Sequence, residues 1–132
     1  MKVFLGGASS EQHRALSWAA MLDEAGAELT SRWFVGCESW TGRDHELQKQ
    51  KRFDIAISQL AAVRDADVVW ILVPNFVNGG SMVELGAALG MSKTVITSGP
   101  SVNRTLFTSA CHFMSESDFA AFAEVRRLLT PL

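Results

Sequence analysis

Short apolar runs alternate along this chain with longer segments in which apolar residues return every three to four positions. That alternation predicts strands separated by crossover helices. Lys2-Val-Phe-Leu-Gly6 reads as a buried strand, followed by a helix from Ser10 to Gly26 with Leu16, Ala19, Ala20 and Leu22 on its apolar side. Glu28 to Phe34 reads as a second strand, and a polar stretch from Gly36 to Arg43 leads into a helix from about Asp44 to Arg64. Phe53, Ile57 and Leu60 mark the inner stripe of that helix. Asp67-Val-Val-Trp-Ile-Leu-Val73 is nearly continuous in β-branched and aromatic residues, the pattern of a central strand covered on both faces. A helix of sequence GGSMVELGAALG comes next. Strands at Lys93–Thr97 and Cys111–Met114 and a closing helix from Ser115 to Leu129 complete the chain.

These lengths imply right-handed βαβ units. The expected fold is a three-layer α/β sandwich, a doubly wound sheet of about five parallel strands in the order 2-1-3-4-5, of the flavodoxin or Rossmann kind. In such sheets a ligand binds beyond the carboxyl ends of the strands where the winding reverses. Here that crevice lies between the loops Gly6-Gly-Ala-Ser-Ser10 and Pro74-Asn-Phe-Val-Asn-Gly-Gly-Ser81. Both loops are rich in small residues and run into helix N-termini, which favour a phosphate or a carboxylate. Neither matches a dinucleotide or phosphate-loop motif. Tight turns account for the same glycines equally well.

Composition narrows the class. At 132 residues, 48% hydrophobic and 20% charged, the chain fits one domain with a core of its own. Its net charge of -2 comes from interspersed signs, and Lys49-Gln-Lys-Arg52 reads as a solvated helix face rather than a nucleic-acid site. The N-terminal apolar run is too short for a signal peptide and no window has the length of a membrane span, so a cytoplasmic protein is expected. Cys37 and Cys111 lack metal-ligand spacing with His13, His45 or His112 and read as reduced structural cysteines. No metal and no cofactor is expected.

The GGSMVELGAALG segment contains Ser81-x-x-Glu84, the signature of a capping box, in which serine and glutamate satisfy the first N–H groups of a helix. Glu84 also stands at the mouth of the expected crevice, in an otherwise apolar helix that reads as largely buried, where the helix dipole favours an ionised carboxylate by ~0.3–1 kcal/mol. Position alone leaves cap and chemistry both open. The insert Gly36-Cys-Glu-Ser-Trp-Thr-Gly-Arg-Asp-His45 lies beside the same crevice. Trp40 could stack on a base and Arg43 or His45 could meet a phosphate, while a plain surface loop explains them as well. Trp33 and Trp70 read as packing residues.

Gly-Gly-Ser-Met-Val-Glu84-Leu-Gly-Ala-Ala, after Asp67-Val-Val-Trp-Ile-Leu-Val-Pro74 and Val3-Phe-Leu-Gly-Gly-Ala8, resembles the nucleoside 2-deoxyribosyltransferase family and its nucleoside 5'-monophosphate N-glycosidase relatives. The resemblance extends over nearly the whole chain. It implies cleavage or transfer at an N-glycosidic bond, with Glu84 as the nucleophile on the anomeric carbon in the manner of a retaining glycosidase. The family aspartate that assists the leaving base corresponds to Gln59. Asp54, the nearest carboxylate on the same helix, is about 140° away around its axis and reads as solvated. Gln59 can hydrogen-bond a base but cannot act as a general acid.

The same correspondence places Asn78 where the family has an acidic or small polar residue, and Phe4 where it commonly has a tyrosine. Together with the crevice loops, the expected substrate-binding set comprises Phe4, Gly6, Gly7 and Ser9 from the first strand and its loop, and Asn78, Gly80, Ser81 and Met82 at the third. Trp40 and Arg43 come from the insert and Ser109 precedes the fifth strand. These departures point to a hydrolase-like or divergent member, or to a nucleotide-binding relative without turnover. The implied partners are a small nucleoside or nucleotide and further copies of the chain in a homodimer or larger assembly, with no nucleic acid and no membrane.

Overall fold

Every residue of Val68–Leu72 is buried, as its unbroken apolar composition requires of a strand with helices on both faces. The computed structural model describes residues 1–37, 45–75 and 79–130. Around the central strand β3 (Val68–Leu72) run β1 (Lys2–Gly6), α1 (Gln12–Glu24), β2 (Glu28–Leu29), α2 (His45–Asp65), α3 (Gly79–Gly90), β4 (Thr94–Ser98), β5 (Phe113–Ser115) and α4 (Asp118–Leu129). Short 3-10 turns lie at Ser9–Glu11, Val102–Arg104 and Leu106–Ala110. The strands form one parallel sheet in the order β2-β1-β3-β4-β5, the topology read from the sequence. Val3 pairs with Val68, and Val68 with Thr94, so the ends of β1 and β3 lie side by side.

Strand alternation divides the core in two. Val3, Leu5, Val68, Trp70 and Leu72 pack with α1 and α4 through Trp18, Leu22, Phe122 and Val125. Phe4, Val69, Ile71 and Val73 pack on the other face with Val63, Ala66, Leu85 and Ala88, under α2 and α3. No helix among the described residues is long and apolar enough to cross a membrane.

Three local expectations are corrected. The second strand stops at Leu29 instead of reaching Phe34. Thr30 N–H still donates to the Val3 carbonyl, but the chain then turns, with Val35 N–H on Arg32 O and Arg32 paired with Asp23 at 2.7 Å. The Leu5 carbonyl, left without a strand partner, accepts instead from the indole Nε1 of buried Trp33 at 2.7 Å.

In α2 the inner stripe is not Phe53, Ile57 and Leu60: Phe53 and Ile57 are exposed, and Ala62, Val63 and the following Ala66 are buried. A 21-residue helix is ~32 Å long and a five-residue strand spans only ~17 Å. The helix therefore overhangs the strand ends, and among the described residues its buried ones, Ala62 and Val63, fall in the last turns. In α1 the buried face is Ala15, Trp18, Ala19 and Leu22, with Leu16 exposed, because the Trp18 ring takes the central place against Trp70 and Phe122 at 5.5 and 5.4 Å.

The strand ends on the α1 and α4 side are joined by a polar knot. Arg14 donates from Nε and Nη2 to the two carboxylate oxygens of Asp118 at 2.6 and 2.7 Å, and from its terminal nitrogens to the carbonyls of Val73 and Ser98. Ser98 Oγ and Trp18 Nε1 also donate to Asp118. Gly99 has φ +134°, and a Cβ there would lie 2.6 Å from Arg14 Nη2 and 2.7 Å from the Val73 carbonyl. Glycine at this position lets the backbone pass beside the guanidinium.

Candidate active site

At the carboxyl ends of β1 and β3 a cavity of about 220 Å³ opens between the two layers of helix and sheet. Gly7, Ala8 and Ser9 reach it from the loop after β1, Trp33 from the turn after β2, Gln59 from α2, and Gly80, Ser81 and Glu84 from α3. The crevice thus lies where the winding reverses, as the topology demands.

Gly6 is the residue that lets Glu84 approach. A Cβ on Gly6 would stand 3.1 Å from Glu84 Oε1 and 2.7 Å from both Phe4 Cε1 and Ile71 Cδ1. The carboxyl oxygen therefore rests almost against the first strand's backbone. Substituting Gly6→Ala forces two packed side chains to shift, and we expect a loss of stability of ~1–3 kcal/mol. Equilibrium urea unfolding measures it, and an unchanged midpoint would show that the contact is loose.

The capping box does not form. Since α3 begins at Gly79, Ser81 is the third residue of the helix, buried, and Glu84 belongs to the second turn. Both side chains are instead at the cavity. Oε1 of Glu84 is buried and has no hydrogen-bond partner among the described residues. Burial pushes the Glu84 pKa up from 4.5 to about 8, since removal from water penalises the charged form. That rise corresponds to ~5 kcal/mol, well above the ~0.3–1 kcal/mol available from a helix dipole. The carboxyl is consequently held mainly protonated at neutral pH, against the expectation of a dipole-stabilised anion.

The other expected residues are partly gathered here and partly dispersed. Gln59 lines the cavity, and its Oε1 accepts from Ser31 Oγ at 2.5 Å. Asp54 is exposed, accepts from Gln50 Nε2 at 3.0 Å and lies along an adjoining open groove, not in the cavity. Phe4 is wholly buried under Gly6 and is a floor without a surface at the cavity. Met82 faces away, into an apolar depression with Leu85, Gly86, Thr105 and Phe107. Ser109 is exposed on the turn Leu106–Ala110 and does not line the cavity. Trp40, Arg43 and Asn78 lie outside the described residues.

Two further residues emerge. Trp33, read as packing alone, is both packed and a wall of the cavity. Its Cζ2 lies 3.5 Å from the position of a Cβ on Gly7, and its ring is fixed by the bond to Leu5 O. Ser31 holds Gln59. Their position at the carboxyl end of the second strand, beside the reversal point, was the available signal. It was hidden because that segment reads as continuous strand. Trp70 is packing as expected, fully buried with Nε1 on Ser98 Oγ.

No family model matches the chain, and no curated protein does. Solved structures do. A CMP N-glycosidase from Clostridium botulinum superposes with a TM-score of 0.64 at 17% identity, over 97% of this chain and 99% of that one. A 2-deoxyribosyltransferase from Bacillus psychrosaccharolyticus gives a TM-score of 0.69 at 20% identity, over 96% of this chain and 90% of that one. At these identities the likeness shows the fold: five parallel strands in one sheet with helices on both sides.

Proposed function

We propose that this chain is a divergent member of the nucleoside 2-deoxyribosyltransferase and nucleoside 5'-monophosphate N-glycosidase group, and that it cleaves or transfers an N-glycosidic bond with Glu84 as nucleophile. The observation that carries the reading is the Glu84 carboxyl, which lines a cavity formed at the strand ends and has no hydrogen-bond partner for its buried Oε1 among the described residues. Buried carboxyls without partners are costly, and a structural role for this one would need a hydrogen bond that no described residue gives it. The printed activities of the two structural neighbours, a CMP N-glycosidase and a 2-deoxyribosyltransferase, support the same chemistry.

The geometry suits a carboxyl that becomes reactive only when the site is filled. A sugar hydroxyl donating to Glu84, together with positive charge developing at the anomeric carbon, favours the ionised form and lowers its pKa toward neutrality. The carboxylate then attacks, the base departs, and water or a second base takes the sugar from the ester. Among the described lining residues Glu84 is the one carboxyl, so no second acid is at hand in them.

That shortage is also what favours a second reading, a nucleotide-binding module without turnover. Incubation with a panel of nucleosides and their 5'-monophosphates, with free base followed by chromatography, separates the two. Release of base by the wild type, and its loss below detection in Glu84→Ala, is the expected result. Saturable binding with no release over long incubation would establish the binding module instead.

A further inference from the structure

Gln59 and Ser31 form a pair that the nucleophile alone does not explain. Gln59 reaches the cavity from α2, while Ser31, on the turn after β2, lines only the adjoining groove. The Ser31 hydroxyl donates to Gln59 Oε1 at 2.5 Å, which occupies the amide's acceptor end. Nε2 makes no hydrogen bond among the described residues, so the donor end of the amide remains for the cavity. Trp33 borders both spaces and is itself immobilised through Leu5 O, giving a planar wall beside the amide. A flat heterocycle with an acceptor on its edge fits that combination of wall and donor.

Resting on the reading of Glu84 as nucleophile, we propose that Gln59, oriented by Ser31, donates an amide hydrogen bond to the departing base and gives it no proton. The protein is then selective for N-glycosides whose base leaves readily without protonation. These are bases that carry negative charge well, or that are cationic beforehand, such as N7-alkylated purines.

The steps balance without an acid. A Glu84 carboxylate oxygen bonds to the anomeric carbon as the C–N bond breaks, and that electron pair moves onto the base. An ordinary base departs as an anion stabilised by the Gln59 N–H; a cationic one departs neutral. Water then bonds to the anomeric carbon, the ester C–O bond breaks and the Glu84 carboxylate is restored. The water proton passes to the anionic base, or to solvent when the base left neutral. An amide pKa lies far outside the range of a general acid, so Gln59 acts by charge stabilisation alone.

The test measures base release above a buffer blank for guanosine and N7-methylguanosine 5'-monophosphates, and for the uracil, 5-fluorouracil and 5-nitrouracil members of a uridine 5'-monophosphate series. Missing general acid catalysis is worth ~10²–10⁴-fold, so kcat should climb steeply with leaving ability, by about 100-fold or more across either set. Ser31→Ala should lower kcat about tenfold for the poor leaving groups, the order expected for one misdirected hydrogen bond. It should change the N7-methylated substrate and KM much less, and Ser31→Thr should restore the rate. Gln59→Glu, which supplies an acid, should flatten the series.

Equal rates across both sets would overturn the proposal, as would a Ser31→Ala effect uniform over all leaving groups, or an unchanged series in Gln59→Glu. Release that persists in Glu84→Ala, or no release by the wild type from any substrate, would instead overturn the underlying reading of Glu84 and this proposal with it.

Discussion

Glu84→Gln is expected to stabilise the folded protein, and by an amount that grows with pH. The folded-state pKa, about 8, lies above the unfolded value of 4.5. Below 4.5 the carboxyl is neutral in both states and the substitution has little effect. As pH rises from 4.5 to about 8 the unfolded chain gives up the proton and the folded chain retains it, so wild-type stability falls through that window. Above about 8 both states are ionised and the difference is constant. At pH 7 the displacement amounts to ~3 kcal/mol. Urea midpoints of the two proteins should therefore coincide near pH 4, separate progressively to pH 8 and then run parallel. A separation that did not vary with pH would mean that the carboxyl titrates normally and is hydrated. The same variant removes the nucleophile, so stability gained and turnover lost is the pairing expected of a strained functional group.

Arg14→Ala is expected to destabilise the protein strongly, by ~3–5 kcal/mol, because it strands a carboxylate that burial has removed from water. The ion pair is largely sequestered, with side-chain exposures of 17% for Arg14 and 18% for Asp118. Burial alone would raise the Asp118 pKa. Hydrogen bonds from Arg14 and Ser98, the Arg14 charge and the Trp18 indole more than offset it and hold the group below 3.8. Its contribution is thus complete above pH 3.8 and fades as pH falls through the depressed folded value. Arg14→Ala also removes the guanidinium bond to the Val73 carbonyl, while the Ser98 carbonyl keeps the N–H of Val73 at 2.8 Å. The double replacement Arg14→Met with Asp118→Leu should recover much of the loss, since an apolar pair avoids the unpaired charge. A double variant as unstable as Arg14→Ala would place the cost in the Val73 carbonyl instead.

How much of this was legible in the chain depends on whether the signal was local. Val68–Leu72 announced a central strand because covering both faces leaves no polar position, and Gly26 ended α1 because its φ of +89° suits glycine. Phe53 and Ile57 misled for the opposite reason. Their spacing is correct for an apolar stripe, but whether a stripe is covered depends on how far the sheet extends beneath it. Ser81 and Glu84 misled similarly: the spacing of a capping box was present, and the helix began three residues earlier than that motif requires. Asp54 and Met82 are close in the chain to residues that line the cavity, yet neither lines it, nor does Ser109.

The sequence by itself determined the layered α/β architecture, the strand order and the place of the crevice, because hydrophobic period, crossover length and handedness are properties of segments and their succession. Position in the chain put Glu84 at that crevice, and the family resemblance pointed to Gln59 beside it. Only the tertiary structure decided that Glu84 Oε1 is buried without a partner among the described residues and that the carboxyl is mainly protonated, since its pKa follows from what surrounds it and not from its neighbours in the chain. The same holds for Ser31 and Trp33, which reach Gln59 and Leu5 across 28 residues of sequence. Their partners were set by where the second strand stops, and the competition between strand pairing and a side-chain hydrogen bond is resolved only when the sheet is assembled.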